Sequence, residues 1–287
     1  MKHHDGRITA TGGRGLFYQV WEPDSPADAL LLLVHGAGEH SGRYRALASW
    51  FCARGFTVAA IDHSGHGRSQ GRPGYVESFN VFVDDLAAFH RHVTAGHAQL
   101  PQFIVGHSLG GLIAAHYLLR QQASFSGAIF SGPLVSVEPA PGLLQQAIIR
   151  LLARAVPRLG ILQIDPQGVS RDPNVVAAYT ADPLVFHGRM SARQLREMFD
   201  AMARLRREVD RITLPLLVLH GEQDQLAAPA GSRFLAAAAG SRDTTLKIYP
   251  GLQHEIFNEP EHELVWQDLL TWCEAHVQAK PAKLTEF

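Results

Sequence analysis

Continuous apolar runs of about six residues recur along this chain, each closed by a glycine-rich or polar turn and most of them followed by a stretch with helical spacing. Leu30-Leu31-Leu32-Leu33-Val34 is one, extended back to Ala29; Phe56 to Ile61, Phe103-Ile104-Val105, Ser126 to Ser131 and Leu214-Pro215-Leu216-Leu217-Val218-Leu219 are others. A run with no polar alternation predicts a strand covered on both faces, as in a parallel sheet. Leu16 to Trp21 and Thr245 to Tyr249 read as further strands. Between them, Tyr44 to Arg54 and Leu109 to Leu119 predict helices, as does Val81 to Thr94, where Val81, Phe82, Leu86, Phe89 and Val93 share one face. This alternation predicts an α/β fold, a mostly parallel sheet with helices on both faces.

The alternation breaks between Gly132 and Leu214, a stretch too long for an ordinary connection. We therefore expect a core of residues 1–132 and 214–287, with 133–213 inserted as a helical cap (lid). Within the insertion, Leu143 to Val156 predicts a helix with apolar residues on most faces and Arg150, Arg154 and Arg158 four apart. Ser191 caps a second helix, whose Leu195, Met198, Phe199, Met202, Leu205 and Val209 form a single stripe. Core packing explains the second stripe. The apolar excess of the first predicts one side on the domain and another toward lipid or an acyl chain.

Gly106-His107-Ser108-Leu109-Gly110 joins the strand at Val105 to the helix at Leu109. A serine at such a strand-turn-helix junction is a nucleophile elbow, and Gly106, Gly110 and Gly111 give the clearance a strained turn needs. A serine nucleophile needs a base and a carboxylate that orients it, in the chain order Ser, acid, His for this arrangement. Asp224 stands just past the strand ending at Leu219, and His254 stands past the strand ending at Tyr249. Both loops leave the same edge of an open sheet, where ligands bind. Glu222 is the one rival acid. Asp165 and Asp182, each before or beside a proline, read as turn formers. Among 16 histidines, His220 reads as satisfying local backbone groups, His107 as pointing the wrong way along the turn, and His262 and His276 as solvated. The oxyanion donors are expected to be the Leu109 N–H, at a helix start, and the Ala37 N–H in His35-Gly36-Ala37-Gly38.

Several longer stretches carry a family resemblance: His35 to Tyr44, Asp62-His63-Ser64-Gly65-His66-Gly67-Arg68-Ser69, Gly106 to Gly111, Ser131 to Val135, Tyr179 to Leu184, and Thr245 through His254. With these the chain resembles the monoacylglycerol lipase and lysophospholipase-like branch of the α/β-hydrolases, from about Gly15 to the C-terminal helix. The resemblance implies the α/β-hydrolase fold, Ser108, Asp224 and His254 as catalytic residues, and Ala37 and Leu109 as oxyanion hole. It further implies Tyr179 facing the glycerol end of the substrate, and Glu39 and Arg43 near the polar end of the site, where a structural salt bridge is an equal reading. The cap departs from the mammalian pattern in its apolar residues and lacks matching cysteines.

Composition narrows the remaining choices. With Lys+Arg 26 against Asp+Glu 27 the net charge is -1, so no global field favours nucleic acid. The hydrophobic content of 46% supports a sizeable core. Cys52 and Cys273 lack metal-ligand spacing and read as buried thiols; no metal or other cofactor is called for. No stretch has the length of a membrane span and the N-terminus lacks an apolar signal region, which points to a soluble, cytoplasmic protein making transient contact with a micelle or membrane surface through the cap. The expected activity is hydrolysis of monoacylglycerol esters through an acyl-enzyme. Lysophospholipase, broad carboxylesterase or acyltransferase action would use the same parts, and a non-catalytic ligand receptor is the alternative of another class. Peptidases of this fold need cap acids to bind an amino terminus, and this cap is more basic than acidic.

Overall fold

The computed structural model describes residues 1–277. Eight strands build the main sheet: β1 (Lys2–Thr9), β2 (Gly15–Glu22), β3 (Ala29–Val34), β4 (Phe56–Ile61), β5 (Gln102–His107), β6 (Gly127–Ser131), β9 (Leu216–Gly221) and β10 (Thr244–Tyr249). Their order is β1-β2-β4-β3-β5-β6-β9-β10. β2 runs antiparallel to β1 and β4, and all pairs from β4 to β10 are parallel.

The uninterrupted apolar runs have the predicted cause. In β3, Leu30, Leu32 and Val34 enter one core, whereas Ala29, Leu31 and Leu33 enter another on the opposite face. The first core is completed by α2 (Asn80–His97), α3 (Leu109–Gln121) and α7 (Pro229–Ala238), through residues such as Phe82, Leu112 and Leu235. The second is completed by α1 (Arg45–Cys52) and α8 (His262–Val277), through Phe51, Val265 and Leu269. Fully burying each such aliphatic or aromatic side chain contributes about 1.5–3 kcal/mol. That two-sided burial holds the C-terminal ends of β5 and β9 in register, and β10 pairs in parallel with β9 at the sheet edge.

Four elements differ from the sequence reading. β1 is mostly polar and exposed, with Ile8 alone packed against the core, and it forms because its backbone pairs residue by residue with β2. α7 and α5 (Pro173–Ala181) start at a proline in the first turn, a position pre-set for a helix, but lack a clear apolar stripe. The histidines of α8 are less solvated than expected: the His276 ring stacks on Trp272 and binds Asp243, and His262 packs on Trp266. Cys52 and Cys273 are both buried and free.

Between β6 and β9 lie α4 (Leu143–Ala155), α5 and α6 (Ala192–Glu208), with a two-stranded ribbon of β7 (Gly160–Leu162) and β8 (Met190–Ser191). Ser191 caps α6, its Oγ accepting from the Gln194 N–H. The α6 stripe does more than pack. Leu195, Met198 and Met202 are buried, yet with Phe199 they also line the main cavity. α4 buries only Ala153, and Leu143, Leu144 and Leu151 remain 86%, 74% and 65% exposed.

Candidate active site

One residue separates β5 from α3, and it is Ser108. Its φ of 53° and ψ of -120° make it the sole non-glycine residue with positive φ among the described residues. Such a conformation costs about 1–3 kcal/mol and persists only where the surroundings enforce it. They do so through backbone bonds: the Ser108 N–H donates to Ser131 O at 3.0 Å, and the Ser108 carbonyl accepts from Gly111 and Leu134. The glycines are sterically required. A Cβ on Gly106 would come within 2.7 Å of Gly110 O, and one on Gly110 within 2.0 Å of Val34 O.

The loop after β3 passes directly over this turn. A Cβ on Gly36 would lie 2.9 Å from Glu39 Oε1 and 3.1 Å from Ser108 Cβ, so any larger residue would push on the carboxylate that fixes the loop and on the serine itself. Glu39 fixes the loop by accepting from the Gly36 N–H at 2.6 Å and from the Tyr44 hydroxyl at 2.7 Å. The Ala37 and Leu109 N–H groups have no hydrogen-bond acceptor among the described residues. They are the two donors expected for an oxyanion, and the start of α3 adds its positive dipole end at Leu109.

Asp224 and His254 meet at the same edge, with Asp224 Oδ2 accepting from His254 Nδ1 at 2.6 Å. Glu222 is exposed on the neighbouring turn, so the pair forms with Asp224. Burial opposes charge on Asp224, but the hydrogen bonds and charge of His254 and His220 outweigh it and hold the carboxyl well below its ordinary range. Burial alone would lower the His254 pKa; the Asp224 carboxylate, with Glu255 and Glu39 nearby, more than offsets this and the net direction is upward. The bond to Asp224 is the only one of the His254 ring among the described residues, which leaves Nε2 for a reacting hydroxyl. His107 turns away from the serine, its Nδ1 bonding Ser131 O at 3.0 Å, although its ring stands 4.7 Å from that of His254. Burial, with His254 beside it, lowers the His107 pKa to about 4 and keeps it neutral.

Arg43 joins the two loops. Its guanidinium donates to Glu39 Oε2 at 3.0 Å and, as a fork, to both Glu255 carboxylate oxygens at 2.6 and 2.7 Å. It also stacks 4.8 Å from the centre of the Tyr179 ring on α5. Burial would raise the Glu39 pKa, but Arg43 and the neighbouring histidines hold it at about 2. Neither Glu255 nor the link it makes was foreseen from the sequence; its position next to His254 was the available signal. Asp165 and Asp182 do form turns, accepting from the Gln167 and Leu184 N–H groups, and Asp182 additionally takes His40 Nε2 at 2.9 Å.

Ser108, His254 and the β3 loop open onto a cavity of about 610 Å³. Gly36, Ala37, Ser108 and His254 form its floor, and Leu152, Ile164, Met198 and Met202 belong to its apolar wall from the β6–β9 segment. Tyr179, Glu39 and Glu255 also line it, whereas Arg43 stands behind them. That volume lies within the range of small-molecule sites.

Comparison with known proteins agrees with this architecture. A family model described as serine aminopeptidase, S33, matches residues 25–261. A monoacylglycerol lipase of Mycolicibacterium smegmatis is 39% identical over 270 residues, 94% of this chain and 96% of that protein. The chain belongs to the monoacylglycerol lipase family. Within this family, the crystal structure of Paleococcus ferrophilus monoacylglycerol lipase superposes with a TM-score of 0.81 at 32% identity, covering 91% of this chain and 99% of that one. A soluble variant of the Saccharomyces cerevisiae monoglyceride lipase, solved in complex with a substrate analog, gives a TM-score of 0.85 at 27% identity and covers 94% of each chain. The family thus accounts for the α/β-hydrolase fold.

Proposed function

We propose that this chain is a carboxylic ester hydrolase that cleaves monoacylglycerols to fatty acid and glycerol. The observation that carries the reading is the buried 2.6 Å Asp224–His254 pair beside a strained Ser108, at the floor of a largely apolar cavity. Ser108 Oγ attacks the ester carbonyl while His254 Nε2 takes its proton, and the Ala37 and Leu109 N–H groups bind the oxyanion. His254 then gives that proton to the departing glycerol oxygen, leaving the acyl group on Ser108. Water, deprotonated by His254, releases the fatty acid. Asp224 holds the His254 tautomer and stabilises its charged form.

Residues 133–213 act as the cap, and the acyl chain lies along the wall they supply. Tyr179 faces the glycerol hydroxyls. Glu39 stands on the same polar wall, and Arg43 supports it from behind through Glu39, Glu255 and Tyr179. The exposed Leu143, Leu144 and Leu151, with the exposed Arg150, Arg154 and Arg158 on or just after the same helix, suit a transient peripheral contact with micelles or membranes. No helix among the described residues is long and apolar enough to cross a membrane.

A lysophospholipase reading is less well supported, because beside the two histidines His107 and His254 the ionisable side chains lining the cavity are the carboxylates Glu39 and Glu255, with no lysine or arginine among the described residues. A phosphate head group would meet them without a facing cation. The test is a hydrolysis panel of monoacyl-, diacyl- and triacylglycerols and lysophospholipids at matched chain length. Monoacylglycerol is expected to lead; faster lysophospholipid turnover would overturn the assignment.

A further inference from the structure

We propose that His220 is a positioning residue for the triad acid, a second histidine set against the same Asp224 carboxylate oxygen that His254 uses. The inference rests on the reading of Ser108, His254 and Asp224 given above. His220 is fully buried at the end of β9, four residues before Asp224. Its Nε2 lies 3.0 Å from Ala227 O and 3.0 Å from Asp224 Oδ2. Its Nδ1 lies 2.6 Å from the hydroxyl of Ser232, itself fully buried on α7.

These contacts determine the tautomer. Ala227 O accepts from Nε2, so the proton sits on Nε2, and Asp224 Oδ2 lies 3.0 Å from the same N–H-bearing nitrogen as a close electrostatic neighbour. Nδ1 is then a lone pair, and the Ser232 hydroxyl donates to it. Asp224 Oδ1 meanwhile accepts from the Leu226 and Ala227 N–H groups at 2.8 and 2.9 Å. Three hydrogen bonds thus reach the carboxylate, two at Oδ1 from the backbone and one at Oδ2 from His254, and the His220 Nε2 stands 3.0 Å from Oδ2 beside the last. Ala227 closes the ring, giving its N–H to Asp224 and its C=O to His220. Strand β9, the acid loop and α7 are thereby locked around one carboxylate.

Two effects follow. Without His220, Asp224 Oδ2 is held only by the histidine it must orient, and its aim is lost. The His220 N–H also draws charge from Oδ2, so removing it tightens the grip of Asp224 on the His254 proton and makes His254 harder to deprotonate. The other titratable groups around His254, namely His107 on β5, Glu255 next to it in the chain and Glu39 on the β3 loop, are unchanged by substitution at His220.

The decisive comparison is His220→Gln against His220→Asn. The Gln amide reaches the Nε2 position and can still donate to Asp224; the Asn amide reaches only the Nδ1 position beside Ser232. For a short soluble ester, His220→Asn is expected to lower kcat/KM about tenfold to a hundredfold, the range for losing one hydrogen bond to a charged group, and to move the acid limb of the pH profile upward. His220→Gln is expected to restore most of both. Equal kcat/KM and an unshifted acid limb in the two variants, with only melting temperature altered, would overturn the proposal. If His220→Asn fails to fold, the wild-type protein decides: 15N-edited NMR must show His220 protonated on Nε2, and a Nδ1-protonated ring overturns it. A Ser108→Ala control separates the two readings, since turnover surviving in that variant refutes the triad itself, whatever His220 does.

Discussion

Replacing Arg43 by leucine removes the one cation between two buried carboxylates. The side chains of Arg43, Glu39 and Glu255 are 9%, 4% and 5% exposed, so solvent screens them little. Glu39 falls from an ordinary 4.5 to about 2, which corresponds to about 3 kcal/mol at 1.36 kcal/mol per tenfold change. The same figure follows from breaking a buried pair, which costs about 3–5 kcal/mol because a charge is left uncompensated. For a protein of this size Arg43→Leu should lower Tm by roughly 6–12 °C at neutral pH. The pH dependence has a definite sign. A carboxyl with a depressed folded pKa contributes stability that is fully present above its unfolded value of 4.5 and lost as pH falls through about 2. The gap between wild type and Arg43→Leu should therefore be widest at pH 7 and should narrow on acidification below 4.5. Urea melts followed by tryptophan fluorescence at pH 7 and at stepped acid values measure it. A gap below about 1 kcal/mol at pH 7 would mean that the cluster behaves as an exposed ion pair. A gap that does not narrow in acid would remove Glu39 from the account.

Ser108→Gly should relieve the positive-φ strain and raise stability by about 1 kcal/mol while abolishing turnover on the order of 10⁶-fold; a destabilised variant in chemical denaturation would show that the elbow stores no strain. Because the His254 pKa is raised and the base must be neutral, ester hydrolysis should fall away on the acid side from a midpoint above the ordinary ~6.5, and a profile flat across that region would argue against a histidine base. Replacing Leu143, Leu144 and Leu151 together by serine should depress hydrolysis of micellar long-chain monoacylglycerol by roughly tenfold or more while sparing a short soluble ester and Tm, since these side chains are already exposed; equal loss on both substrates would place them in the core.

The parallel strands and the site were legible in the sequence for one reason: each is dictated locally. The apolar run of β3 and the glycine pattern around Ser108 state their own constraints, burial on two faces and backbone approach within 3 Å. Asp224 and His254 could be placed because each follows a strand by a few residues. What escaped depends on partners distant in the chain. β1 has no apolar face and exists through pairing with β2. The Arg43–Glu255 fork spans 212 positions, and nothing near Arg43 announces it. The α6 stripe has the periodicity of a core helix whether its far side meets protein or a cavity, so its second use was invisible. His220 was expected to satisfy local backbone groups, and it does so at Ala227 O, but the contact to Asp224 needed the turn of the loop.

The segment between β6 and β9 is attached unevenly, and this has a consequence for recombination. Its later part is tied to the oxyanion loop and the histidine loop: the Phe186 N–H donates to Gly38 O, His40 holds Asp182, and the Glu255 N–H donates to Val169 O. Its earlier part, α4 and β7, bonds instead to the start of α6 and to β8, through Leu159 O with Ala192 and Pro157 O with Arg193. A breeder of chimaeras would find a cassette here. Residues 138–163 can be exchanged between relatives as a unit without touching a hydrogen bond of the catalytic loops, whereas a crossover inside 164–190 separates pieces that fit only each other. The exposed helix α4 is thus less constrained by the catalytic loops than the segment behind it.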